Sequence, residues 1–226
     1  MTLPRQMAFD LGSAESFTRA EFFPSPANAA AFAAVGDWAQ WPQGRMLLIG
    51  PAGAGKTHLA HIWAAEAGAL ILPAADLPGL DPTALPLALV VEDADAQAGL
   101  PAHEEALFHL LNRMTDAQGQ LLLTAKTPSR DWGLALPDLL SRVQAMAIAR
   151  LDAPDDALLS AVLVKLFADR QIAVPPNLIP YLASRMERSI AAARHLVAAL
   201  DARALALGRP ITRALAAELL DSAGPG

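Results

Sequence analysis

Cysteine is absent from all 226 residues, which excludes a disulfide framework, a thiolate metal site and a cysteine nucleophile. Long apolar runs are also missing. None approaches the roughly 20 residues needed to span a bilayer, and the first residues lack the basic, apolar and small-residue order of a secretory signal. Positive charge is short as well, with 17 Lys and Arg against 23 Asp and Glu, a net charge of −6. Duplex affinity rests mainly on Lys and Arg neutralising phosphates, so nucleic acid is not expected as the main ligand, a small local basic patch aside. These absences point to a cytoplasmic protein with no membrane attachment.

What is present is a 54% hydrophobic chain with 18% charged residues, enough to bury a real core. The length suits one large domain or a medium domain with a small one. Short, wholly apolar runs alternate with helical patterns over the first two thirds. RMLLIG (45–50), ALILP (69–73), LALVVEDAD (87–95), QLLLTAKTP (120–128) and QAMAIARL (144–151) read as strands. KTHLAHIWAAEAG (56–68) and EEALFHLLNRMTD (104–116) read as helices, and a first helix follows Pro26. Strands apolar on both faces, alternating with amphipathic helices, predict an α/β fold, a parallel five-stranded sheet covered on both sides. After APDD at 153–156 only helical patterns remain. The expected division is a short peptide at 1–12, an α/β domain at 13–152 and a small all-helical lid at 153–226.

The sharpest motif is GPAGAGKT (50–57), a complete G-x-x-x-x-G-K-[ST] between a strand and a helix. Gly50, Gly53 and Gly55 let backbone N–H groups converge on phosphate oxygens, and the helix N-terminus adds the positive end of its dipole. Lys56 would pair with the β- and γ-phosphates, and Thr57 would ligate Mg²⁺. A Gly-rich turn that only caps a helix is the bland alternative, and the flanking strand and helix argue against it.

A phosphate loop needs acids at the end of a neighbouring strand. LALVVED supplies Glu92 and Asp93, in the reverse of the usual Asp–Glu order. The longer acid then stands at the metal position and the shorter one where water is polarised, which would weaken hydrolysis. Asp95 reads as a supporting group or a helix cap. Thr124 ends the QLLLTA strand, where its hydroxyl either holds the attacking water or is an ordinary strand-end threonine. Arg142, in LPDLLSRV at the end of a short helix ahead of a strand, reads as a surface arginine. Arg194 interrupts a small, apolar helix face in the lid, as suits a residue facing an interdomain cleft, and His195 beside it reads as a surface or packing histidine.

GPAGAGKTHLA, VVEDAD, EEALFHLLNRM, LLLTAKTPSR, LPDLLSRV, the DRQIAVP turn and a lid ending RPITRALAAELLD together resemble the AAA+ module of the bacterial replication initiator DnaA. The resemblance is stronger to its short Hda-type homologues in their alphaproteobacterial form, and it covers essentially the whole chain. It implies a nucleotide loop of Gly50, Pro51, Ala52, Gly53, Ala54, Gly55, Lys56 and Thr57 followed by His58. Glu92 and Asp93 take the Walker B positions, with Glu92 joining Thr57 around Mg²⁺ through nucleotide and water. It places Thr124 at sensor 1, Arg142 as an arginine finger offered to a neighbour's nucleotide, Arg194 at sensor 2 and Asn28 in the segment that contacts adenine.

The chain shows no helix-turn-helix segment after the lid, so no direct DNA-binding domain is expected. Near its start, QMAFDL (6–11) interleaves apolar and polar side chains. Alone, such a patch reads as a frayed end or one packed on its own domain. In the resembled proteins a Gln-Leu-x-Leu-x-Leu peptide at this place docks on the sliding clamp, the β subunit of DNA polymerase III. Gln6, Met7, Phe9 and Leu11 would fill that role here.

The expected function is therefore an ATP- or ADP-binding negative regulator of replication initiation. It would use Mg²⁺, have weak hydrolysis of its own, and take the initiator DnaA and the clamp as partners. Nucleotide-dependent homo-oligomers fit the same reading. Two other classes compete: an AAA+ helicase loader or transposition helper that engages single strands, and a small-molecule P-loop kinase.

Overall fold

The computed structural model describes Arg19 and residues 22–222. Gln6, Met7, Phe9 and Leu11 lie outside the described residues. Among the described residues the order is α1 (Ala29–Gly36), β1 (Arg45–Ile49), α2 (Lys56–Ala67), β2 (Leu70–Pro73), β3 (Ala88–Glu92), α3 (Pro101–Asp116), β4 (Gln120–Ala125), α4 (Pro137–Gln144) and β5 (Ala147–Arg150). The remainder is helical: α5 (Asp156–Asp169), α6 (Leu178–Ala183), α7 (Ile190–Leu207) and α8 (Arg213–Ser222). Short 3₁₀ turns at 74–76 and 82–84 break up the Pro-rich connector between β2 and β3.

The five strands form one parallel sheet in the order β2-β3-β4-β1-β5. The period of two along each strand sorts side chains onto two covered faces. Leu47, Ile49, Leu89, Val91, Leu121 and Leu123 pack under α3 and α4, against Leu107, Leu110, Leu111, Leu139 and Val143. Their neighbours Met46, Leu48, Val90 and Leu122 pack on the other side against Val35, Leu59, Ile62 and Trp63. Trp63 is closed over by Trp41, the rings stacked 5.0 Å apart, and the Trp41 indole N–H donates to Ala34 O at 2.8 Å.

A third core belongs to the lid helices alone, with Leu159, Leu163, Phe167, Leu182, Val197 and Leu200 at its centre. The connection between the two parts is pinned on both sides. Asp152 N donates to Ala27 O at 2.9 Å, and Arg188 pairs with Asp156 at 2.8 Å while reaching Pro154 O at 3.3 Å. No helix among the described residues is long and apolar enough to cross a membrane.

Candidate nucleotide site

Because the strands are parallel, their C-terminal ends open on one edge. With β4 inserted between β1 and β3, that edge is where an α/β sheet forms its ligand crevice. The phosphate loop leaves β1 there. Gly53 and Gly55 adopt φ of 71° and 100°, a region that side chains with a Cβ avoid. They turn the chain so that α2 begins at Lys56.

Lys56 is buried, and its Nζ donates to the carbonyls of Gly50 at 2.7 Å and Pro51 at 3.0 Å. Burial lowers its pKa below the usual lysine value; Asp93 and Asp95 raise it, Lys126 lowers it and Glu92 raises it. An anion in the loop would act in the same direction as the two aspartates. Thr57, the second residue of α2, is exposed.

The strand-end acids divide. Asp93 is exposed, turns into the left-handed region with φ 52°, and lines the phosphate side of the cleft with Lys56, Thr57, Lys126 and Arg194. Glu92 is half-buried, and its Oε1 is buried without a hydrogen-bond partner among the described residues. Thr124 is 1% exposed, and its hydroxyl accepts the Asp93 N–H at 3.0 Å. Asp95 Oδ2 accepts the N–H groups of Lys126 at 2.8 Å and Thr127 at 3.3 Å, tying the turn after β3 to the loop after β4.

An adjoining part of the same cleft is apolar. Phe22, Phe23, Leu158, Val162, Leu166 and Ile190 line it, together with Asn28, Gly55, His58, Lys165 and Arg194. Phe22 stacks on Phe32 at 4.6 Å and meets His58 edge-on at 5.5 Å. The Asn28 amide is engaged by its own turn: Oδ1 accepts Ser25 N–H at 2.8 Å and Nδ2 donates to Phe23 O at 2.9 Å. Asn28 therefore shapes the wall at Phe23 through the backbone. Arg194 lines both halves of the cleft, and His195 beside it is exposed.

The lid meets the phosphate loop directly. Ser189 caps α7 by accepting Ala192 N–H at 3.2 Å, and Ile190 N–H donates to Gly53 O at 3.0 Å. Lys126, Ser189 and Ile190 escape a motif search because each reaches the loop only through the tertiary fold.

Arg142 is not in this cleft. It is half-buried in the last turn of α4, its guanidinium carbon 5.2 Å from the centre of the Phe108 ring on α3. It lies near Arg45, whose pKa falls below the arginine norm through burial first and the Arg142 charge second. Arg45 opens β1, whereas the phosphate loop leaves its other end.

A divalent ion would fit this edge. Mg²⁺ keeps several waters and takes one or two carboxylates alongside substrate phosphates. Thr57, Asp93 and the unpartnered Glu92 oxygen offer that donor set. Among the described residues no cluster of three or more His, Asp or Glu makes a self-sufficient metal site, so nucleotide phosphates would complete the coordination.

No family model matches the chain. Over 140 residues, 58% of the chain, it is 29% identical to the chromosomal replication initiator protein DnaA of Thermomicrobium roseum, and the match takes in 28% of that protein's length. In structure it resembles domain III of Thermotoga maritima DnaA, with a TM-score of 0.81 at 18% identity over 91% of this chain and 96% of that one. AMPPCP-bound DnaA from Aquifex aeolicus gives a TM-score of 0.70 at 16% identity, over 82% of this chain and 65% of that one. The RuvB branch migration motor of Thermotoga maritima gives 0.68 at 20% identity, over 92% and 72%. The chain has the AAA+ fold of DnaA domain III.

Proposed function

We propose that this protein is an adenine-nucleotide switch that turns off a DnaA-type replication initiator by offering Arg142 to the nucleotide that partner holds. The observation that carries the reading is the place of Arg142. It lies in the last turn of α4, which leads into β5 where Ala147 pairs with Met46 near the start of β1, while Lys56 and Thr57 follow the end of β1. Five residues at about 3.3 Å each separate the two, further than one side chain reaches. An arginine there cannot serve its own γ-phosphate and is free to serve a neighbour's. A guanidinium supplied in trans stabilises the charge of the phosphoryl-transfer transition state, an effect on the order of 10³–10⁵ in rate.

In the chain's own cleft, Lys56, Lys126 and Arg194 would hold phosphates and the apolar wall from Phe22 to Leu166 would hold adenine. Mg²⁺, when bound with Thr57 and the strand-end acids, would neutralise phosphate charge. With Glu92 and Asp93 in reversed order, own hydrolysis is slow and ADP is retained. Gln6, Met7, Phe9 and Leu11 form the peptide that docks on the sliding clamp, the polar amide and apolar anchors suiting a hydrophobic groove.

The test mixes the protein with ATP-loaded initiator and clamp loaded on DNA, and follows ATP hydrolysis. Arg142→Ala abolishes the stimulation while ADP and clamp binding persist. Deleting residues 1–11 removes clamp binding and leaves ADP binding intact. Full stimulation by Arg142→Ala sinks the proposal.

A further inference from the structure

Helices α3 and α4 are joined through one buried carboxylate. Glu104, in the first turn of α3, is 3% exposed. Its Oε1 accepts the N–H groups of Gly99 at 2.9 Å and Ala135 at 3.1 Å. Its Oε2 accepts those of Ala135 at 3.1 Å and Leu136 at 2.9 Å. Leu136 is the cap residue of α4 and Pro137 is its first residue.

A leucine side chain cannot accept a hydrogen bond and a proline has no N–H, so the usual capping chemistry is missing from this helix start. A carboxylate from the neighbouring helix supplies an acceptor instead, and its charge favours the positive end of the short helix. Below it, Leu139 and Val143 anchor α4 in the core, each 0% exposed. Four residues after Glu104, on the same face of α3, Phe108 lies under the Arg142 guanidinium. One face of α3 thus grips α4 at its start and near its end.

We propose that Glu104 is a positioning residue for Arg142, holding the eight-residue helix that carries it in the orientation a partner's phosphate requires; this rests on the trans-arginine reading above. A short helix anchored by two core side chains can still pivot about them. A carboxylate bonded to two backbone N–H groups at its start, and held in place by the Gly99 N–H ahead of α3, removes that freedom. A displacement of about 1 Å in a group that acts on a transition state costs on the order of 10² in rate.

Glu104→Gln is isosteric, but its amide nitrogen faces N–H donors that the carboxylate accepted. In the hydrolysis assay with ATP-loaded initiator and DNA-loaded clamp, it lowers the maximal stimulated rate by about ten- to a hundredfold. The concentration giving half-maximal stimulation and the chain's own ADP affinity stay unchanged. Added to Arg142→Ala it lowers nothing further, because the group it positions is already gone. Leu136→Pro removes one donor at φ −87° and leaves the carboxylate paired with Gly99 and Ala135. It keeps the fold if Glu104→Gln does not, and it lowers the maximal rate several-fold. An unchanged maximal rate in a folded variant overturns the inference, as does a loss confined to half-saturation. If Arg142→Ala itself stimulates fully, the trans-arginine reading fails first and the role of Glu104 falls with it.

Discussion

The Ile190 N–H at the start of the lid helix α7 donates to the Gly53 carbonyl of the phosphate loop across 3.0 Å. The contact leaves no room at Gly53: a Cβ there would stand 2.0 Å from Ser189 Oγ and 2.6 Å from its Cβ, on a backbone with φ of 71°. Arg194 lies one turn further along the same helix and lines both halves of the cleft. The shape of the phosphate loop and the reach of Arg194 are therefore set together.

Gly53→Ala is expected to push α7 off the loop and weaken ADP binding. Left-handed backbone alone costs a side-chain-bearing residue roughly 1–2 kcal/mol, and 1.4 kcal/mol is a tenfold change in affinity. Ser189→Gly removes the clashing atoms and, at a helix cap, costs only a few tenths of a kcal/mol. Titration with a fluorescent ADP analogue should show the double variant recovering part of the loss. A double variant no better than Gly53→Ala would place the cause in the loop alone.

Lys56 gives a second prediction. Its ammonium holds the carbonyls of Gly50 and Pro51, so Lys56→Met removes the proposed phosphate partner and two bonds internal to the loop. Thermal unfolding without nucleotide should fall, since a hydrogen bond to a charged group contributes about 1.5–3 kcal/mol. The added stability that ADP gives the wild type by mass action should disappear. A variant still stabilised by ADP would show that Lys56 does not contact the phosphates.

The sequence announced the phosphate loop because its glycines and lysine are demanded by one backbone shape. It announced the sheet because alternate residues of each strand are buried on opposite faces, as with Leu47 and Leu48. It did not tell which strand-end acid faces the cleft. That depends on the left-handed turn at Asp93, which is held by Thr124 from a strand far along the chain. Asn28 was expected in an adenine-contacting segment through the resemblance alone, which gave no sign that its amide is occupied by Ser25 and Phe23. No motif marks Glu104 in the EEALFHLLNRMTD helix. Only the packing of the 135–136 backbone against α3 makes it a buried acceptor.

Glu104 also predicts an acid-sensitive component of stability. Burial raises its pKa, but the N–H donors of Ala135, Leu136 and Gly99 outweigh that and hold it below the usual glutamate value. A depressed carboxylate contributes stability that is fully present above the unfolded pKa of about 4.3. That contribution is lost as pH falls through the lower folded value. The melting temperature of Glu104→Gln should lie well below wild type at pH 7, and the gap should narrow in acid. Asp81 is shifted in the same direction by Thr83, so the comparison of the two proteins, not the wild-type curve alone, isolates Glu104. A gap constant from neutral to acid pH would contradict the bonding described.

Thr124 tests how the strand-end acid is aimed. Its buried hydroxyl accepts the Asp93 N–H at 3.0 Å, so one threonine joins two neighbouring strand ends and steadies a left-handed aspartate. Thr124→Val keeps the shape and leaves that N–H unsatisfied, at a cost of about 1–3 kcal/mol. For a chain of this size that lowers the melting temperature by roughly 2–4 °C per kcal/mol. Single-turnover hydrolysis of bound ATP should slow, while ADP affinity, which the proposed site draws from the loop and Lys56, should hold. Thr124→Ser restores the acceptor and should restore both stability and rate. The decisive comparison is made in Asp93→Ala. If Thr124 acts through Asp93, adding Thr124→Val changes the rate no further; if it holds the attacking water itself, the double variant is slower than either single one.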